Sequence, residues 1–334
     1  MKKMPKITFK ITAYVLLLGC FFGFSWFLIK STTAQEGVGQ GLEISPPVIA
    51  LTADPGKTVK TNILVRNVTS TDLVVTGESN DFVAAGEDGT PKVLLGEDET
   101  SPYSIKDWIT IPGRVTLVPK EIKTMSVVIN VPEDASPGGH YGVVRFTGTP
   151  PNLEGQGVAL TASLGSLVLL SVSGDITQQL SIEEFSANKA GKTGTFFESL
   201  PINLVERLKN SGNVHERPAG AITVRNMFNK TVATFPYNPQ ARYVLPDSTR
   251  KFEQTLDTTV TDGKRLFGKY TATLSVTYGE GNNQTATSTL TFWIIPWKLI
   301  LGVIAAIIIG FFVIRFAIRR YNRYILNRSH RHHR

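Results

Sequence analysis

The sequence predicts an all-β protein: two tandem Ig-like β-sandwich domains, with an N-terminal signal peptide and a C-terminal transmembrane helix. Three observations carry this. Apolar and polar residues alternate at period two through the middle of the chain, with turn residues between the runs. Two long apolar runs lie at the ends. The basic residues flanking those runs face no acid at either end.

At the N-terminus, Lys2, Lys3, Lys6, Lys10 and Lys30 bracket an apolar run over 13–29. Thr32 and Ala34 fit the small-x-small pattern of a signal-peptidase site. Residues 1–34 are therefore expected to be a signal peptide, with an uncleaved signal anchor as the alternative. Cys20, the sole cysteine, is followed by Phe21, Phe22, Gly23 and Phe24, still inside the apolar run, so lipidation is not expected. A Gly-rich linker, 35–40, leads into the strands.

The middle of the chain is long enough for two domains with cores of their own, which explains the lack of cysteines for disulfide staples. Val59, Thr61, Ile63 and Val65 line one strand face; Met125, Val127, Ile129 and Val131 line another. Tyr270, Ala272, Leu274, Val276 and Tyr278 line a third. A weak internal repeat sets Asn67 and Tyr141 against Asn210 and Tyr270, at spacings of 74 and 60 residues. A polar stretch, 84–106, accounts for the longer first copy. The domains are expected at 41–173 and 174–292, the second close to the membrane.

The second apolar run, 293–314, is expected to be the membrane span. Trp293 and Trp297 supply an aromatic belt, and Lys298 snorkels to the headgroups. Gly302, Ala306 and Gly310 recur every four residues, the pattern of a helix-packing face, so weak lateral self-association is a partner expectation. Arg315, Arg319 and Arg320 open a basic tail, 315–334, which holds that end in the cytoplasm. The expected location is the plasma membrane, single-pass, with the β-rich middle outside.

Without the two ends, 22 basic residues remain against 27 acidic ones, a net of −5. A nucleic-acid partner is therefore not expected. No nucleophile elbow, His-Glu-x-x-His pair or phosphate-binding glycine loop is present, so neither catalysis nor a cofactor is expected. Glu87, Asp88 and Gly89, and Glu97, Asp98 and Glu99, lack the spacing of a calcium loop and read as solvated acids, with no metal expected. The contact-surface candidates are Trp108 and Tyr103, aromatics beside the long polar loop.

The first domain begins with Ile44, Ser45, Pro46 and Pro47, and has Asp54, Pro55, Gly56 and Lys57 before its second strand. Further on come the Ser-Ile-Lys-Asp-Trp-Ile run at 104–109, the Val-Thr-Leu-Val-Pro-Lys-Glu run at 115–121 and the Pro-Gly-Gly-His-Tyr turn at 137–141. This series resembles the N-terminal domain of the WxL-interacting proteins, surface proteins of Gram-positive bacteria. The resemblance covers 41–173 and implies an Ig-like domain associated with peptidoglycan binding. The family's signal peptide and basic-tailed span agree with it. Residues 174–292 do not clearly match, and no ligand residue is carried over. The expected function is thus non-enzymatic binding of a cell-envelope partner, a polymer such as peptidoglycan or a surface protein. The alternative is an extracytoplasmic scaffold or assembly factor acting by strand addition at a sheet edge. A cell-wall hydrolase is a third class.

Overall fold

The computed structural model describes residues 41–96, 99–150, 162–263 and 266–329. The expected signal peptide, the linker 35–40, residues 330–334 of the tail, and Glu97 and Asp98 lie outside the described residues. Strands are numbered in chain order.

Two sheets built from 42–172 enclose one apolar core. The first runs β1 (Leu42–Ser45), β3 (Thr58–Asn67), β8 (Ile122–Asn130), β6 (Ile109–Thr110). The second runs β2 (Val48–Ala53), β10 (Ala162–Val172), β9 (Gly138–Thr149), β4 (Leu73–Ala85), β5 (Thr90–Leu94), with β7 (Val115–Leu117) also on β4. The alternating faces read from the sequence meet rung by rung: Val59 opposite Ile129, Thr61 opposite Val127, Ile63 opposite Met125. That register puts Ile63, Met125, Val127 and Ile129 wholly inside.

A second pair of sheets, built from 180–294, encloses a second core. One runs β12 (Lys192–Thr193), β11 (Leu180–Lys189), β14 (Ile202–Asn210), β17 (Thr249–Leu256). The other runs β13 (Phe196–Phe197), β19 (Gln284–Ile294), β18 (Gly268–Tyr278), β15 (Ala219–Asn226), β16 (Thr231–Tyr237). Tyr270, Ala272, Leu274, Val276 and Tyr278 all point into this core.

The two units share a plan. β1 and β11 pair antiparallel with β3 and β14; the chain then crosses to the other sheet, where β2 and β13 pair parallel with the last strands, β10 and β19. The repeated asparagines explain part of this likeness. Buried Asn67 accepts from the Thr69 N–H (2.9 Å) and donates to the carbonyls of Thr71 and Leu117. Asn210 accepts from the Gly212 N–H (2.9 Å) and donates to the carbonyls of Val214 and Val244. Each side chain closes its own turn and ties it to a distant strand, satisfying carbonyls that would otherwise be buried unpaired.

The polar stretch 84–106 holds more order than its composition conveys. β4 continues to Ala85, turns at Glu87, Asp88 and Gly89, and returns as β5. Pro91 and Lys92 break the alternation, so the strand is set by its neighbour β4 and not by its own pattern.

The C-terminal apolar helix begins later than 293. Trp293 lies in β19, paired with Lys269 on one side and Phe196 on the other, and its N–H donates to the Thr195 carbonyl (2.7 Å). An apolar run alone cannot tell strand from helix, and here the sheet claims its first residues. Only Ile295 and Pro296 separate β19 from helix α1 (Trp297–Ser329). Pro296 lacks an N–H and so fits the head of the helix. The stretch Trp297–Arg323 is long and apolar enough to cross a membrane, and its most apolar part is not buried among the described residues. Gly302, Ala306 and Gly310 lie along it, the two glycines with open space around them, while Arg315, Arg319 and Arg320 follow the apolar section, exposed.

Candidate partner-binding edge and cleft

The units meet through a third, smaller apolar cluster. Phe82, Tyr141, Val143 and Leu169 of the first unit are buried there, with Tyr243 and Leu245 of the second packed against them. Tyr141 is central: its ring makes edge contacts with Phe82, Tyr103 and His215, and His215 continues to Tyr243 at 5.3 Å between centroids. Burial pushes the Tyr141 hydroxyl well above the usual phenol range and His215 down to about 4, so both are neutral at pH 7.

Polar contacts frame that cluster. The Gly139 N–H donates to the Asn213 carbonyl (2.7 Å) and the Lys251 N–H to the Glu87 carbonyl (2.6 Å). Arg207 Nε donates to Glu87 Oε2 (2.6 Å), and the same guanidinium pairs with Glu184. The acids of the β4–β5 turn are therefore a docking tip: Glu87 reaches across, and Asp88 caps Thr90 while its carbonyl accepts from Arg250.

Trp108 and Tyr103, the contact-surface candidates, are both half-buried beside this joint. The Tyr103 hydroxyl donates to Asp247 Oδ2 (2.7 Å) across the joint, and the carboxylate beside it raises that hydroxyl to about 12. Trp108 is half-buried against the first core, its ring 4.8 Å from that of His140. Aromatic side chains beside an irregular loop fill the gap under it before they offer a face to a ligand.

Two features remain available. The first is the free side of β10. β9 pairs with it from Ala162 to Val172, but β2 covers its other side only from Leu167 onward. The Leu167 N–H turns to the Pro47 carbonyl (2.9 Å) and the Ser173 N–H to that of Ala53, so by alternation the backbones of Ser163 and Gly165 turn to the uncovered side. Among the described residues nothing pairs with them there. The second is a cleft of about 410 Å³ between the units, starting where β2 begins. Pro47, Val48, Leu167, Leu169 and Tyr243 give it an apolar wall, and Arg242 and Arg250 supply its charge. Arg250 donates to the Tyr243 carbonyl (2.6 Å), its Nε is buried without a partner, and burial lowers its pKa. No sequence motif marked Arg242, Arg250 or β10; the open edge exists only once β2 takes its register.

No family model and no curated relative matches the chain. Among solved structures it is similar to the YadV chaperone (10% identity, TM-score 0.35, 75% of this chain and 100% of that one). It is also similar to the class 5 fimbriae chaperone CfaA (14%, TM-score 0.37, 75% and 98%) and to the SafA pilin–SafB chaperone complex of Salmonella enterica (13%, TM-score 0.36, 75% and 96%). At such identities the activity of this chain does not follow from theirs.

Proposed function

We propose that the chain is a non-enzymatic, membrane-tethered assembly or binding factor that takes an extended segment of a partner protein as an added strand on the open half of β10. The exposed backbone of Ser163 and Gly165, which β1 approaches but nothing pairs with on that side among the described residues, is the observation that carries this reading. Residues 162–166 contain no charge and no proline, the usual devices by which an edge is blunted against pairing. A strand laid there runs into the cleft at Pro47 and Val48. Apolar side chains fit its wall, and a carboxylate-bearing segment complements Arg242 and Arg250. Helix α1 holds the edge at a membrane surface, with the β-units outside as the flanking arginines favour.

A photo-crosslinking residue at Ser163 of the full chain in cells tests this, with Lys60 as an outward-facing control. The reading expects a protein adduct at 163, absent at 60 and lost on Gly165→Pro. An adduct carrying wall glycan in place of protein would support the polymer partner implied by the WxL-interacting resemblance and sink the strand-addition reading. No adduct above the control would sink both.

A further inference from the structure

Several large apolar side chains of the second unit are left in water, and they gather at one end. Phe196 is 71% exposed, Phe228 82% and Phe267 63%, and Met227 is also bare. The β-ladders bring them together. Phe196 pairs with Trp293 and stacks on its ring at 6.2 Å, with 9° between the planes. Phe267 precedes Gly268, which pairs with Ile294. A Cβ on Gly268 would lie 2.6 Å from Met227 Cε, so the turn carrying Met227 and Phe228 reaches the same corner. All of this surrounds the point where Ile295 and Pro296 pass into α1. Lys298 pairs with Glu198 at 2.7 Å and ties the first helical turn to the segment after Phe197.

Adjoining this rim through Met227 is an open groove on the outer face of the same sheet. Arg225 and Lys269 line it with Asn226, Asn229 and Thr271, and no acid is among its lining residues. Asn229 Oδ1 holds the Arg225 guanidinium at 3.1 Å. Lys269 pairs with Trp293, one residue before β19 ends, which places it about 3 Å along the strand from that end. That distance falls within the several-ångström depth of a headgroup layer.

We propose that the second unit docks on the bilayer itself: Phe196, Met227, Phe228 and Phe267 sit at the boundary of headgroups and acyl chains, and Arg225 and Lys269 bind lipid phosphate. Continuity with α1 argues for this occupant over a protein partner, because a two-residue connection leaves the rim beside the bilayer whenever the helix spans it. Exposed aromatics with cations just behind them match the interface of a phospholipid membrane. The inference rests on reading α1 as a membrane span, not on the strand-addition reading.

The test uses the full chain in phosphatidylcholine vesicles, on a Cys20→Ser background. A fluorophore is placed on single cysteines at Lys230 beside the rim, at Lys60 in the first unit and at Ile307 in the helix. Lipids with spin labels at the headgroup or mid-chain act as quenchers. Docking expects the label at 230 to be quenched at least threefold more than that at 60 by headgroup-region quencher, with 307 quenched by mid-chain quencher. Combining Phe196→Ser, Phe228→Ser and Phe267→Ser should bring 230 down to the level of 60, the circular dichroism unchanged. Replacing Arg225 and Lys269 by Glu should weaken the quenching at 230, more so with phosphatidylglycerol present. Quenching at 307 but not at 230 overturns the docking and leaves the span standing. No mid-chain quenching at 307 removes the span and the docking together. Quenching at 230 that survives the triple Ser variant overturns the role given to the rim.

Discussion

Glu206 lies in the middle of β14 between core residues Leu204 and Leu208, fully buried, and neither carboxyl oxygen has a hydrogen-bond partner among the described residues. Burial, with a smaller contribution from Glu253, pushes its pKa from 4.5 to about 9. The folded chain therefore keeps the proton that the unfolded chain releases above pH 4.5. At 1.36 kcal/mol per unit, holding it near pH 7.5 costs on the order of 4 kcal/mol, a ceiling that water penetration lowers. Because the folded pKa is the higher one, stability is fully present below about pH 4.5 and is lost progressively up to about pH 9. Glu206→Gln keeps the shape and removes the ionisation. It should stabilise the second unit by roughly 2–4 kcal/mol near pH 7.5, less whatever the buried amide itself loses by desolvation. It should change little near pH 4.5. Urea unfolding of the full chain in detergent, followed by circular dichroism from pH 4.5 to 9, measures both. Parallel pH profiles for the two proteins would refute the reasoning, because Glu206 would then be ionised in the fold or reached by water.

His215 works in the opposite direction. Its folded pKa of about 4 lies below the unfolded 6.5, so its contribution is whole above pH 6.5 and drains away toward pH 4. Since its ring bridges Tyr141 and Tyr243, acid should loosen the joint between the units first, seen as faster amide exchange around 139–141 and 213–216 at pH 5 than intrinsic rates explain, and abolished by His215→Phe. Asn210→Ala should destabilise the second unit by roughly 2–3 kcal/mol, because it strands the carbonyls of Val214 and Val244, and Asn210→Asp should not rescue it since it brings no donor; urea midpoints check this.

The sandwich strands were legible because period-two alternation is a local property, and the faces of β3, β8 and β18 lie where that alternation puts them. Asn67 and Asn210 were visible as a repeat, although their shared task of closing a turn from within a core needs three dimensions. The joint was not legible. Tyr103 meets Asp247, and Glu87 meets Arg207, over separations of 120 residues or more, and no spacing rule reaches that far. Glu87 and Asp88 carried the compositional mark of a solvated loop, which is what a docking tip also looks like before its partner is known. The open half of β10 was hidden for another reason: it depends on where β2 stops, a matter of pairing and not of residue type. Trp293 misled because aromatic residues suit a sheet edge as well as a membrane interface.

The joint of two residues between β19 and α1, anchored by the N–H of Ile295 to the Phe197 carbonyl (2.8 Å) and of Trp297 to Ile295 (2.8 Å), leaves the outer units without slack. With the units also bolted to each other through Tyr103, Glu87 and Arg207, a bilayer crossed by α1 would carry the free stretch of β10 at a fixed altitude above the lipid, like a shelf on a short bracket. On the proposed strand-addition reading, a partner could use that shelf only by presenting its strand at that height. Splicing a flexible Gly-Ser spacer after Ile294 would therefore alter which partners reach it without touching a single contact residue.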